Sequence, residues 1–153
     1  MYFRVKWTVR KSVKLPLPLA GHCMAEISSN EMIVAGGFSP STNDYISDAY
    51  ILNTDDLTWF TRPWMSHHFG PRMDGACISM LWNNQRVVLT AGGWNNSALH
   101  TSEMYLKDEQ SWIQIGRNIS SELVMPIEEG MRSTVMVELN KKAFMVGGVI
   151  CEG

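Results

Sequence analysis

Short apolar runs separated by polar turns dominate the chain, and three of them end in a double glycine. These are Met32-Ile33-Val34-Ala35-Gly36-Gly37, Val88-Leu89-Thr90-Ala91-Gly92-Gly93 and Ala143-Phe144-Met145-Val146-Gly147-Gly148. Each is preceded, across a polar turn, by another apolar run: Cys23 to Ile27 before Ser28-Ser29-Asn30, Ala76 to Leu81 before Asn83-Asn84, and Thr134 to Leu139 before Asn140-Lys141. Two short runs around a turn of Asn, Ser or Lys predict a β-hairpin. After the first two double glycines comes a third run, Asp48 to Leu52 and Ser102 to Leu106, then an acidic turn and a fourth strand carrying Trp59 or Trp112. Near the N-terminus, Phe3, Val5, Trp7 and Val9 alternate with Arg4, Lys6 and Arg10, the pattern of a half-buried strand with a solvated face.

The double glycines recur at 56 and 55 residues, Gly36 to Gly92 and Gly92 to Gly147. A fixed period of this length points to a repeat architecture in which each unit buries its faces against its neighbours. Glycine weakens a strand unless something must approach closely, so its recurrence suggests packing beneath the Tyr and Trp side chains.

The unit resembles the kelch repeat, whose signature is a double glycine, then Tyr, then Trp, and whose fold is the β-propeller. The residues that carry the resemblance are Gly36, Gly37, Tyr50 and Trp59, then Gly92, Gly93, Tyr105 and Trp112, then Gly147 and Gly148. Tyr105 to Trp112 spans seven residues and Tyr50 to Trp59 nine, and the Gly-to-Tyr spacings imply long loops after the second strand. The Pro-Arg that commonly precedes a kelch first strand stands at Pro71-Arg72, in part at Arg132, and is missing before Gly21-His22.

The expected architecture is all-β, a partial kelch-type β-propeller forming a single domain. It has an outer strand of a preceding blade (1–20), two four-stranded blades (21–62 and 75–115) and a half blade (132–148). Propellers close with roughly 4 to 8 blades, so about three cannot close alone. The chain is expected to belong to a longer one, to assemble from copies, or to stand as an open fragment.

In an up-and-down blade, the loop from second to third strand and the loop between blades emerge on one side. Residues 38 to 46, 94 to 100, 62 to 74 and 116 to 131 fall in such loops, and the other side has only tight turns. Long loops on a rigid scaffold carry recognition, and Trp and Arg are enriched at binding hot spots. Arg62, Trp64, His67, His68, Phe69, Arg72, Trp94 and Asn95 are therefore the candidate partner-binding residues. His67 and His68 suggest a metal, but adjacent residues of an extended chain point apart and no third ligand has recognisable spacing. No metal and no other cofactor is expected. No G-x-S-x-G elbow, P-loop or H-E-x-x-H occurs, so catalysis has no support in the sequence.

Composition narrows the rest. With 45% hydrophobic residues and a formal net charge of −2, the chain has enough apolar surface to fold and lacks the basic character of a general nucleic-acid binder. No apolar run is long enough for a membrane-spanning helix, and no secretory leader pattern is visible, so neither nucleic acid nor membrane is expected as a partner. Cys23, Cys77 and Cys151 are odd in number, widely spaced and outside any C-x-x-C, which predicts reduced thiols in a cytoplasmic protein. The sequons at Asn95-Asn96-Ser97 and Asn118-Ile119-Ser120 point weakly the other way.

The resemblance implies a protein–protein interaction module: the substrate-recruiting part of a cullin-type ubiquitin ligase, or an actin-associated scaffold. No adaptor segment precedes residue 20, so the ligase role requires a longer chain. The alternatives are a propeller-scaffold enzyme acting on a sugar or small molecule, and an assembly part that works only once completed by self-association.

Overall fold

In the computed structural model, which describes residues 13–62, 70–115 and 130–150, the chain is all-β, with no helix among the described residues. Strands β1 (Cys23–Ser28), β2 (Glu31–Ala35), β5 (Ala49–Asn53) and β6 (Trp59–Arg62) form one antiparallel sheet in that order. Between β2 and β5, β3 (Phe38–Ser39) and β4 (Asp44–Tyr45) pair as a small ladder of their own. A second four-stranded sheet comprises β7 (Ala76–Trp82), β8 (Gln85–Ala91), β9 (Ser102–Leu106) and β10 (Ser111–Ile115). After β11 (Met131–Arg132), β12 (Val135–Leu139) and β13 (Lys142–Val146) make a two-stranded hairpin, and β11 pairs with β14 (Val149–Ile150).

The predicted hairpins are present, and their turns explain themselves. Asn83-Asn84 and Asn140-Lys141 each place two successive residues at φ between 49° and 62°. That left-handed pair is what a two-residue turn needs to match the strand twist, and asparagine tolerates it best among residues with side chains.

Register shows that the two full units are not aligned as their tyrosines suggest. Ala35 and Ala91 both precede a double glycine; Ala35 pairs Ala49, whereas Ala91 pairs Ser102. Counting from there, Tyr50 occupies the place of Glu103, and Leu52 the place of Tyr105. Leu52 pairs Trp59 as Tyr105 pairs Trp112, so the tryptophans are equivalent and the tyrosines are two residues apart. This accounts for the two extra residues between Tyr50 and Trp59. The connection from β2 to β5, residues 36–48, is also longer than that from β8 to β9, residues 92–101, and it is the one that carries the β3–β4 ladder.

The sheets stack face to face. Period-two alternation in β1 turns Cys23, Ala25 and Ile27 inward; with Ile33, Ala35, Ala49 and Ile51 they pack on Val88, Tyr105 and Trp112 of the second sheet. Tyr105 and Trp112 lie ring to ring at 5.4 Å. The other face of the second sheet (Met80, Val87, Leu89, Met104, Leu106, Ile115) is covered in turn by Met136 and Ala143 of the third hairpin. Strands β1, β7 and β12 are thus successive neighbours, one from each unit.

Backbone hydrogen bonds repeat from one unit boundary to the next. Asp74 N donates to Gly21 O, and Ser133 N to Asp74 O; these three residues are equivalent, with φ of 62°, 56° and 57°. Arg72 O accepts from Gly37 N, as Met131 O accepts from Gly93 N. By this register Pro18-Leu19 stands where Pro71-Arg72 stands, so the first unit keeps the proline and replaces the arginine. Arg132 is the counterpart of Met73, not of Arg72.

The glycines serve a different purpose from the expected ring packing. Gly92 and Gly93 have φ of 65° and 106°, and a Cβ on Gly92 would sit 2.5 Å from Met131 O, backbone rather than an aromatic ring. Gly147 shares the conformation at φ 71° but has open space where the Cβ would go. Gly92→Ala and Gly147→Ala should both lose about 1–2 kcal/mol from the left-handed backbone. Only Gly92→Ala should lose about a further 1–3 kcal/mol by overpacking. Urea unfolding of the two variants checks this, and equal losses would contradict the account.

The thiol expectation is corrected. Cys23 and Cys77 are disulfide-bonded, with Cα atoms 5.5 Å apart. Linear spacing gave no sign of this because the bond joins the first strands of consecutive repeats, residues 54 apart that the stacking makes neighbours. Disulfides persist in oxidising surroundings, so the thiol argument for a cytoplasmic location falls away. No helix among the described residues is long and apolar enough to cross a membrane.

Candidate functional site

The connections with room for recognition converge on one side of the sheets. Residues 36–48 and 92–101 link second to third strands; the segments around residues 70–75 and 130–134 lead from one unit into the next. Reciprocal hydrogen bonds join Met73 and Trp94 (2.7 and 3.0 Å), Gly37 N donates to Arg72 O (2.7 Å), and Met131 N donates to Leu99 O (3.1 Å). The opposite side holds the short turns, such as Asn83-Asn84, and the Asn53–Thr58 turn in which Thr58 N and Oγ1 both donate to Asp56. Those two bonds hold the Asp56 carboxyl below its ordinary range.

Trp94 and Asn95 stand on the loop side. Trp94 is half-buried, bridged to Met73 and Ala98, and the Arg132 guanidinium lies over its ring at 4.6 Å to the centroid. Such a cation over an indole is worth about 0.5–1 kcal/mol at an exposed site. Asn95 N donates to Ser97 O in a tight turn whose tip, Asn96, is exposed at φ 58°. One unit earlier, Phe38 and Tyr45 meet edge to face at 5.4 Å, with the exposed residues 40–44 between them. Arg62 ends β6; Trp64, His67, His68 and Phe69 lie outside the described residues, as does the Asn118 sequon.

Arg72 is placed elsewhere. Its side chain is 3% exposed and enters the second sheet instead of facing a partner. Nη1 donates to Gly92 O (2.8 Å) and Thr101 O (3.1 Å); Nη2 donates to Thr101 Oγ1 (2.9 Å) and Glu103 Oε1 (2.8 Å). The guanidinium therefore ties the inter-unit segment to both ends of the β8–β9 connection, and its role is to hold the loop side in shape. Its five donors in a rigid fork suit such a divergent set of acceptors.

Glu103, within β9, is not among the candidate residues that the sequence offers. Its alternation with Tyr105 was the available signal, since both face the same way. Burial pushes its carboxyl up to about 7, against the opposing pull of the Arg72 guanidinium and a Gly70 backbone N–H. Burial lowers Arg72, with Glu103 opposing. Because the folded value of Glu103 lies above the unfolded one, the folded chain holds the extra proton between about pH 4.5 and 7. Stability should accordingly fall as pH rises through that window, by at most about 1.4 kcal/mol per pH unit. Glu103→Gln should flatten the difference in a pH series of unfolding midpoints; an unchanged slope would remove Glu103 as its source.

Among the described residues no group of three or more His, Cys, Asp or Glu side chains is arranged to hold a metal ion. Comparison with family models and with curated proteins returns no match to this chain.

Proposed function

We propose that the chain is a partial kelch-type β-propeller whose loop side binds a protein partner. The observation that carries this reading is the asymmetry of the two ends of the sheets. Tight turns close one end, whereas the other gathers the long connections, with Trp94 and Asn95 on a backbone pinned by Met73, Leu99 and Met131. The propeller part is supported by two four-stranded antiparallel sheets and a third hairpin that share one register relative to their double glycines. A rigid base under an amphipathic ring lowers the ordering cost of binding. Within this reading the substrate-recruiting part of a cullin-type ubiquitin ligase, or an actin-associated scaffold, is the role that the kelch resemblance implies.

The test compares the wild-type chain with Trp94→Ala and with Asn95→Ala as affinity baits, each first matched to wild type in its unfolding midpoint. A partner retained by wild type and lost at least about tenfold in Trp94→Ala, about 1.4 kcal/mol of binding, supports the reading. Retention of every wild-type partner by both variants would sink it.

A further inference from the structure

The two ends of the stack are complementary in a way that a single copy does not use. Positions Ile33, Leu89 and Phe144 are equivalent in the three units, each lying three residues before a double glycine. The first two are covered by the next sheet, at 0% and 7% exposure, whereas Phe144 is 45% exposed. The same holds for Cys23, Ala76 and Val135, and for Ala25, Ile78 and Val137, whose last members are exposed. Cross-strand pairing sets Val135 opposite Val146 and Val137 opposite Phe144, so the bare positions form one continuous apolar face. Isolated exposed apolar residues need no explanation, but a contiguous face does.

The surface that covers this face elsewhere in the molecule is known. On the second sheet it consists of Cys77, Val88, Tyr105 and Trp112, packed on the first. Their register equivalents on the first sheet are Met24, Met32, Leu52 and Trp59, which are exposed or half-exposed. The molecule therefore presents an unfilled socket at one end and a matching plug at the other, both continuous with an interface it already makes twice. A contact of this head-to-tail kind makes a ring if its rotation closes and a filament if it does not.

We propose that two copies of this chain dock head to tail, the β12–β13 face of each on the first sheet of the other, to complete a six-unit ring. The number follows from arithmetic on the fold. The described residues hold three units, so two copies bring six, within the roughly four to eight units over which such rings close, and three copies would bring nine. The proposal rests on the propeller reading and not on what the loop side binds.

Light scattering on the purified chain at micromolar concentration tests it. The expected result is a single species at twice 17.3 kDa. Phe144→Glu and Met24→Glu alter exposed side chains on opposite ends and should leave the β-sheet circular dichroism intact. Each should raise the dissociation constant at least about 100-fold, because a carboxylate is then buried against apolar surface. A wild-type monomer overturns the proposal, and so does open growth into filaments. A dimer broken by Phe144→Glu but not by Met24→Glu means that like faces meet, which overturns it as well. A monomer that still loses its partner on Trp94→Ala would leave the loop-side reading standing alone.

Discussion

Replacing Arg72 by leucine is expected to destabilise the fold by about 3–5 kcal/mol at pH 8, the range for removing one member of a buried ion pair. The change strands the Glu103 carboxylate, 1% exposed, without its cation. It also strips donors from Gly92 O and Thr101 O, which Arg72 holds at 2.8 and 3.1 Å. The loss should be smaller at pH 5, where Glu103, whose carboxyl burial raises to about 7, already carries a proton. The first unit indicates how the pair can be dispensed with, since Leu19 and Tyr50 stand in the places of Arg72 and Glu103. Arg72→Leu/Glu103→Tyr should therefore regain most of the stability, leaving about 1 kcal/mol for the lost donor to Gly92 O, since Thr101 O still accepts from Gly92 N. Urea unfolding of both variants at the two pH values measures this. A single variant as stable as wild type, or a double variant worse than the single, would refute the account of Arg72 as an internal clamp.

That pair also marks where sequence reading ends. The strands, the hairpins and their turns are legible because they depend on local pattern: alternation in Cys23–Ser28, and an asparagine at a left-handed position in Asn83-Asn84. The order of strands within a sheet is legible because short turns force neighbours to pair. Register across a longer connection is not. Tyr50 and Tyr105 look equivalent by order along the chain, yet the pairing of Ala49 with Ala35, against Ser102 with Ala91, displaces them by two. Arg72 sits in a connection and reads as solvent-facing, and only the arrival of Glu103 and Thr101 from 31 and 29 residues away makes it interior. For the glycines, a close approach is readable from their recurrence, whereas the left-handed backbone is not. Nor is what approaches them, because Met131 O belongs to the next unit. Of the candidate site, Trp94 and Asn95 were readable as loop residues, while Arg132 over the indole depends on a contact between units.

Reduction of the Cys23–Cys77 bond should be the second large perturbation. The cysteines are 54 residues apart, and releasing a loop of that length from the unfolded chain corresponds to about 4 kcal/mol on the chain-entropy relation. With a urea dependence of roughly 2 kcal/mol per molar, the midpoint should drop by about 2 M when reductant is added. The reduced chain should still fold, because the apolar packing of Ala25, Ile33 and Ile51 on Val88, Tyr105 and Trp112 does not depend on the bond. Thiol titration of the denatured chain supplies the independent reading: of the three cysteines, only Cys151 should react before reduction and all three after it. Three reactive thiols without reductant, together with an unchanged midpoint, would mean that the bond does not form in solution. The stacking of the first two sheets would then rest on apolar burial and on the Asp74–Gly21 and Gly37–Arg72 backbone hydrogen bonds. A Cys77→Ala variant separates the two contributions, since it removes the bond while leaving a small apolar side chain at the seam. Its midpoint should match that of the reduced wild type to within the cost of the lost sulfur contacts.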